Sequence, residues 1–198
     1  MTSHVKRTLA LIAATAMIAS AAHARTFDSI DIQTDTALSA FEKVYIAPIE
    51  IDFSEHRIRQ NVRDLQGIRP VSERDQARKA SDLIEDLQRE FGKRYVLVDT
   101  PGADVLTVET TLTKLVSTRP TLADRRQTPT LDFSSVYAGG ADFQVELIAG
   151  GTTLATIEDN QSRDSNFNDG RPRVGIWQDV DRSFNRFSRK LARYVSRN

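Results

Sequence analysis

The chain has 198 residues, with 27 Lys and Arg against 27 Asp and Glu, a formal charge of zero, and no cysteine. Balanced charge gives no long-range attraction to nucleic acid or to a membrane surface. The missing thiols exclude disulfides, thiol catalysis and cysteine metal sites, so stability has to rest on a hydrophobic core.

Residues 1–24 read as a signal peptide, not as part of the fold. Lys6 and Arg7 supply a positive start, residues 9–22 are apolar apart from Thr15 and Ser20, and Ala22-His23-Ala24 offers a small-x-small cleavage site. The apolar run falls short of the ~20 residues of a transmembrane helix, and no cysteine follows it to carry a lipid. The expected location is therefore periplasmic or secreted, after cleavage near Ala24. Residues 25–198 then hold 25 basic and 27 acidic side chains and fit one domain, which can bury about 70% of its unfolded surface. Of three histidines only His56 lies outside the leader, which closes any mechanism that needs two.

In chain order, residues 25–40 are polar and predict an irregular arm. Val44, Ile46 and Pro48 alternate, and Ile49, Ile51 and Phe53 alternate in the opposite phase. A one-residue slip at a proline predicts a first strand over 43–53, broken near Pro48. Residues 54–71 carry a short helical pattern (Ile58, Val62, Leu65, then Gly67) and read as a surface connection or a moving flap. Ser72-Glu73-Arg74-Asp75 has the form of a capping box, and Ala77, Ala80, Ile84, Leu87 and Phe91 repeat at helical steps before Gly92.

A short strand is expected over 95–99, and Pro101-Gly102 has the chemistry of a type II turn. Residues 104–117 predict a long strand with Leu106, Val108, Leu112 and Val116 on one side. Its threonine-rich other side (Thr107, Glu109, Thr111, Thr113) is that of a partly wet face. After a polar excursion over 118–140, Phe143, Val145 and Leu147 alternate with polar residues, Ala149-Gly150-Gly151-Thr152 makes a turn, and 154–157 returns. A second polar loop over 160–175 leads to a last helix, 177–195. There Val180, Phe184, Phe187, Leu191 and Val195 form one stripe, and Arg182, Arg186, Arg189, Lys190, Arg193 and Arg197 cluster opposite. The order strand-helix-strand-strand-strand-strand-helix predicts an α+β fold: a mixed, mostly antiparallel sheet of about five strands with two amphipathic helices on one face.

Counting strand directions places the loops 118–140 and 160–175 at the same end of the sheet. Long loops on a rigid sheet are where binding concentrates. They carry Arg119, Arg125, Arg126, Arg163, Arg171 and Arg173 beside Asp124, Asp132, Asp164 and Asp169, a rim suited to a partner with anionic groups, against the plainer reading of solvated loops. The basic back of the last helix likewise reads as a solvated face, or as a contact for phosphate-bearing lipid or cell-wall polymer.

No motif points to catalysis, a cofactor or a metal. Asp164-x-Asn166-x-Asn168 begins like a calcium loop, but the glycine falls late, at 170, and Gly175 stands where the closing glutamate belongs. Gly139-Gly140 and Gly150-Gly151 lack the surroundings of a phosphate cradle and read as turns. Ser134 and Ser135 lack a nucleophile elbow. Glu109 and Glu146 are the one carboxylate pair that could do acid–base work if they are cross-strand neighbours.

Three stretches, VDTPGADVLTVETTLT, AGGADFQVELIAGGTTLATIEDNQS and WQDVDRSFNRFSRKLARYV, resemble an uncharacterised family of bacterial envelope proteins, the domain of unknown function numbered 3313. The resemblance runs from about Phe41 to Val195 and rests on turns and core positions. Many members look like small lipoproteins; this chain departs from them in lacking the lipidated cysteine and in having Ala149-Gly150-Gly151 at the hairpin turn. The resemblance implies a non-enzymatic binding or scaffold module of the cell envelope, with an envelope protein or polymer as partner. A carrier of a small apolar ligand between helices and sheet, or a carboxylate hydrolase using Glu109 and Glu146, are the alternatives.

Overall fold

The computed structural model describes residues 27–53, 71–119, 122, 126, 139–162 and 175–198. Among these, seven strands form one mixed sheet and two long helices pack on it. In chain order they are β1 (Ser29–Ile32), β2 (Lys43–Ile46), β3 (Glu50–Ile51), α1 (Glu73–Phe91), β4 (Val96–Leu97), β5 (Val105–Val116), β6 (Gly140–Ala149), β7 (Thr152–Asn160) and α2 (Gln178–Val195). The sheet order is β1-β7-β6-β5-β2-β4, with β3 continuing beside β5. The α+β class and the mixed sheet hold, but the strand count is seven, and three of the six pairings (β2 with β4, β2 with β5, β3 with β5) are parallel.

The two extra strands have separate causes. The arm expected to be irregular supplies β1, whose Ile30 lies opposite Ile157 and reaches the core while Ser29 and Asp31 stay exposed. Two apolar positions in four residues are too few to signal a strand. The break at Pro48 splits the first predicted strand in two. Ile46 faces Val108 and Glu50 faces Thr111, so four steps along one chain match three along β5; this is the predicted one-residue slip. Residues 1–24, His56 and the rest of 54–70 lie outside the described residues.

The first helix starts as its capping box dictates. The Ser72 side chain accepts the Asp75 N–H at 3.1 Å and its hydroxyl donates to the Asp75 carboxylate at 2.8 Å, and Gly92 is the C-cap. Its buried face is rotated from the predicted one: Leu83, Leu87 and Phe91 are fully buried, while Ala77 is exposed and Ala80 and Ile84 are half-covered. The rotation turns Lys79 and Glu90 inward, toward α2.

The short strand predicted at 95–99 is only Val96–Leu97, an outer edge with both side chains exposed. The predicted type II turn at Pro101-Gly102 moves on by a step: Gly102 has no positive φ, and its carbonyl accepts the Val105 N–H. In β5 a bulge between Leu112 and Lys114 shifts the alternation. Leu115, not Val116, therefore rejoins the buried side.

The hairpin β6–β7 forms as predicted, with Gly150 and Gly151 at φ +57° and +78°. Both central residues at positive φ is the geometry a two-residue turn between twisted strands requires. The core lies between the sheet and both helices. Phe143 from β6 stacks on Phe187 of α2 with ring centroids 4.0 Å apart and 3° between planes, and meets Phe184 edge-on at 5.9 Å. Val180, Phe184, Phe187, Leu191 and Val195 are all fully buried, as the stripe predicts.

Candidate functional site

The sheet ends β5, β6 and β7 at one rim. Val116 pairs with Gly140 and Asp142 with Asn160, so the loops leaving β5 and β7 are rooted side by side, as the strand count requires. Three short-range devices tie the roots together. The Thr118 N–H donates to the Ile176 carbonyl at 2.7 Å. The Gly139 N–H donates to the Asp179 carboxylate at 3.3 Å. Asp142, 1% exposed, accepts both the N–H and the hydroxyl of Ser162 at 2.8 and 2.9 Å.

The start of α2 belongs to the same junction. Trp177 occupies its N-cap and has no oxygen with which to cap. Thr118 at the end of β5 supplies it instead: its Oγ1 accepts the Asp179 N–H at 3.0 Å. Gly139 completes the fit, because a Cβ there would lie 2.7 Å from Thr118 Oγ1 and 2.9 Å from the Val116 carbonyl. The pair Gly139-Gly140, read from sequence as turn residues, is thus a close-approach point. A Cβ on Gly140 would meet the Ser162 backbone at 2.8 Å.

Beside this junction, Asp159 is 4% exposed. Burial raises its carboxyl above the ordinary value, against hydrogen bonds from Lys190 and Gln161 that pull the other way. Lys190 reaches it at 2.6 Å and lies 4.4 Å from the Phe27 ring centre, so it leaves the exposed basic group in which the helical wheel placed it. On the other side a hollow of about 490 Å³ opens between the two helix starts, lined by Arg78, Asp82, Ile176, Trp177 and Asp181 among others. Buried Lys79 spans it with 2.6 Å bonds to both Asp82 and Asp181.

Of the six arginines predicted for the rim, Arg119 is half-buried at the root of the first loop and Arg126 is exposed. Arg125, Arg163, Arg171 and Arg173 lie outside the described residues, as do Asp124, Asp132, Asp164 and Asp169. The near-calcium motif and Ser134-Ser135 lie there too. Among the described residues no group of three or more His, Cys, Asp or Glu is placed to hold a metal ion, and no helix is long and apolar enough to cross a membrane. Glu109 and Glu146 do stand directly opposite each other on the face of the sheet away from α1 and α2. They line a hollow of about 390 Å³ with Glu50, Asp52 and Gln144.

The junction residues Thr118, Asp142, Asp159 and Asp179 do not stand out in the sequence. Their one visible signal is that each is a polar residue within a turn of an element's end, which many solvated residues share.

The family model described as "Protein of unknown function (DUF3313)" matches residues 30–191, and the chain belongs to that family. No curated protein matches. Among solved structures, a dodecamer of a PelC point variant from Paraburkholderia phytofirmans is similar at 12% identity and a TM-score of 0.40, over 83% of this chain and 96% of that one.

Proposed function

We propose that this member of the DUF3313 family is an exported, non-enzymatic binding module of the bacterial envelope, which recognises an envelope protein or polymer through the rim formed by residues 118–140 and 160–175. The observation that carries the reading is the clamp at the loop roots. Buried Asp142 and Asp179 and the Thr118 cap fix where both loops leave the sheet. Pre-set roots lower the ordering cost that a binding loop otherwise meets on capture. Arg119 and Arg126, with Arg125 between them in sequence order, give this rim a cationic character suited to carboxylate or phosphate groups.

The test is retention of the purified protein on isolated envelope fractions, with membrane vesicles and cell-wall sacculi assayed separately. Saturable retention that falls at least tenfold in Arg125→Glu/Arg126→Glu supports the reading. Equal retention of the variant removes the rim as the contact.

The hydrolase alternative gains the direct register of Glu109 and Glu146. Glu109 is exposed, however, so bulk water has free access to it, whereas acid–base catalysis gains from a water-excluded site. The carrier alternative has to contend with Phe143, Phe184 and Phe187, which fill the layer between helices and sheet. An apolar ligand would have to displace them.

A further inference from the structure

The formal neutrality of the chain conceals two segregated charged faces. Around α2 the buried positions occupy a wide arc toward the sheet and α1. At about 100° per residue, Arg186, Arg189 and Arg193 fall within a wedge of about 60° in the remaining arc, Arg197 follows just past the helix end, and all four are exposed. Asp179, at the edge of that wedge, is buried and holds Arg182 at 3.2 Å, and Asp181 turns to Lys79. The three helical arginines run along about 11 Å of helix.

On the opposite side lies the face of the sheet away from α1 and α2, on which no helix among the described residues packs. Register places Asp31 on β1, Glu158 on β7, Glu146 on β6, Glu109 on β5 and Glu50 on β3 all on that face, since their cross-strand partners there are Thr156, Ser29, Gln144 and Thr111 or one another. Four of the five are exposed and Glu146 is half-buried. Five strands at about 4.8 Å spacing make this band about 19 Å wide, enough to span the arginine row. Of the lysines near it, Lys43 is occupied by Asp104 at 2.7 Å.

The geometry points to a second copy of this chain as the occupant of this acidic sheet face, docked through the arginine row of its α2. A basic row and an acidic band on opposite sides of one molecule are complementary between copies and cannot meet within one. The contact is heterologous: one copy offers the helix, the next the sheet, so each pair still has one free face of each kind and the assembly grows into a ring or a filament. Being made of exposed charges, it is sensitive to salt.

The test uses sedimentation of the purified protein with two charge reversals at exposed positions, Arg186→Glu/Arg193→Glu and Glu50→Lys/Glu109→Lys. The wild-type protein is expected to exceed the mass of one chain at roughly 20 mM salt and return to it at roughly 500 mM, where the Debye length shortens from about 20 to about 4 Å. Each variant alone is expected to stay a single chain. Mixed, they should associate, because the intact helix of one variant meets the intact sheet face of the other. Recovery of association in the mixture shows that both variants are folded. The inference is overturned if the wild-type protein stays a single chain at low salt, if its association ignores salt, or if the mixture forms no pairs. It is equally overturned if the arginine variant self-associates normally but no longer binds phosphatidylglycerol vesicles, which would assign the row to an anionic lipid surface.

Discussion

Thr118 Oγ1, at the end of strand β5, accepts the N–H of Asp179 in the first turn of α2 at 3.0 Å, 61 residues on in the chain. The helix has Trp177 where a capping serine or aspartate would stand, so the cap comes from another element. Both groups are buried, and the same threonine's N–H holds the Ile176 carbonyl. One residue thereby fixes the helix start, the end of β5 and the re-entry of the second loop.

Thr118→Val keeps the side chain's volume and removes the cap. Helix caps contribute about 0.5–2 kcal/mol, and a buried one belongs at the upper end because the orphaned N–H has no water to turn to. The expected loss is about 2 kcal/mol in urea unfolding. Thr118→Ser, which retains the oxygen, should recover most of it. A valine variant as stable as wild type would mean that the Asp179 N–H finds another acceptor.

The core's centre is the Phe143–Phe187 stack. Truncating Phe187 to alanine removes its buried area and leaves a cavity, at about 3–5 kcal/mol. Phe184→Ala should cost about as much, but the two losses should not add, because both rings pack against Phe143. A double-mutant cycle by denaturant unfolding reads this directly, and strict additivity would show the rings to be energetically independent.

What is legible in the sequence follows the strength of each local pattern. The stripe from Val180 to Val195 and the alternation from Phe143 to Leu147 rest on many consecutive positions, and both appear in the structure with the predicted residues buried. The α1 stripe goes astray at Lys79 and Glu90 because those side chains are buried by ion pairs, Lys79 across the helices with Asp181 and Glu90 with Lys93 just past the end of α1. A hydrophobicity pattern cannot register that. Val116 is misplaced by a bulge one residue long, and β1 escapes notice because its partners on β7 are more than a hundred residues away in the chain. The arginine row is visible on the helical wheel, except for Lys190, which tertiary contact with Asp159 draws inward. The loop-root junction is invisible: its polar residues matter through partners that only the fold brings together.

Asp159 and Glu90 predict opposite responses to acid. Burial raises the Asp159 carboxyl, so its ionised form weakens the fold at neutral pH, and this cost is relieved as pH falls through the raised value toward the ordinary one near 4. Glu90 is held low, chiefly by the Lys93 hydrogen bond. Its contribution is complete above the ordinary value and is lost as pH falls through the lowered one. Urea midpoints of Asp159→Asn and Glu90→Gln, each against wild type between pH 7 and about 3, should therefore diverge. The advantage of wild type over Asp159→Asn grows on acidification, and that over Glu90→Gln shrinks. Parallel curves would contradict both assignments.

Gly139 and Gly150 should both resist alanine, for different reasons and with different consequences. Gly150 sits at φ +57° with nothing within 4 Å of where a Cβ would lie, so Gly150→Ala meets only the intrinsic penalty of a left-handed backbone, about 1–2 kcal/mol. Gly139 has no positive φ, but its Cβ would press on Thr118 Oγ1, the Thr118 N and the Val116 carbonyl, all within 3 Å. Two of these three atoms are backbone and cannot rotate away, so Gly139→Ala has to push the loop root off the end of β5. Relieving the clash strains both the Gly139–Asp179 bond and the Thr118 cap. The expected cost is about 2–3 kcal/mol, accompanied by faster amide exchange at Asp179, whose N–H is held by that cap. Gly150→Ala should leave exchange at Asp179 unchanged, since the hairpin turn lies at the opposite end of β6 and β7. If the two variants lost the same stability with the same exchange pattern, the packing of the loop root around Gly139 would not be what anchors the start of α2.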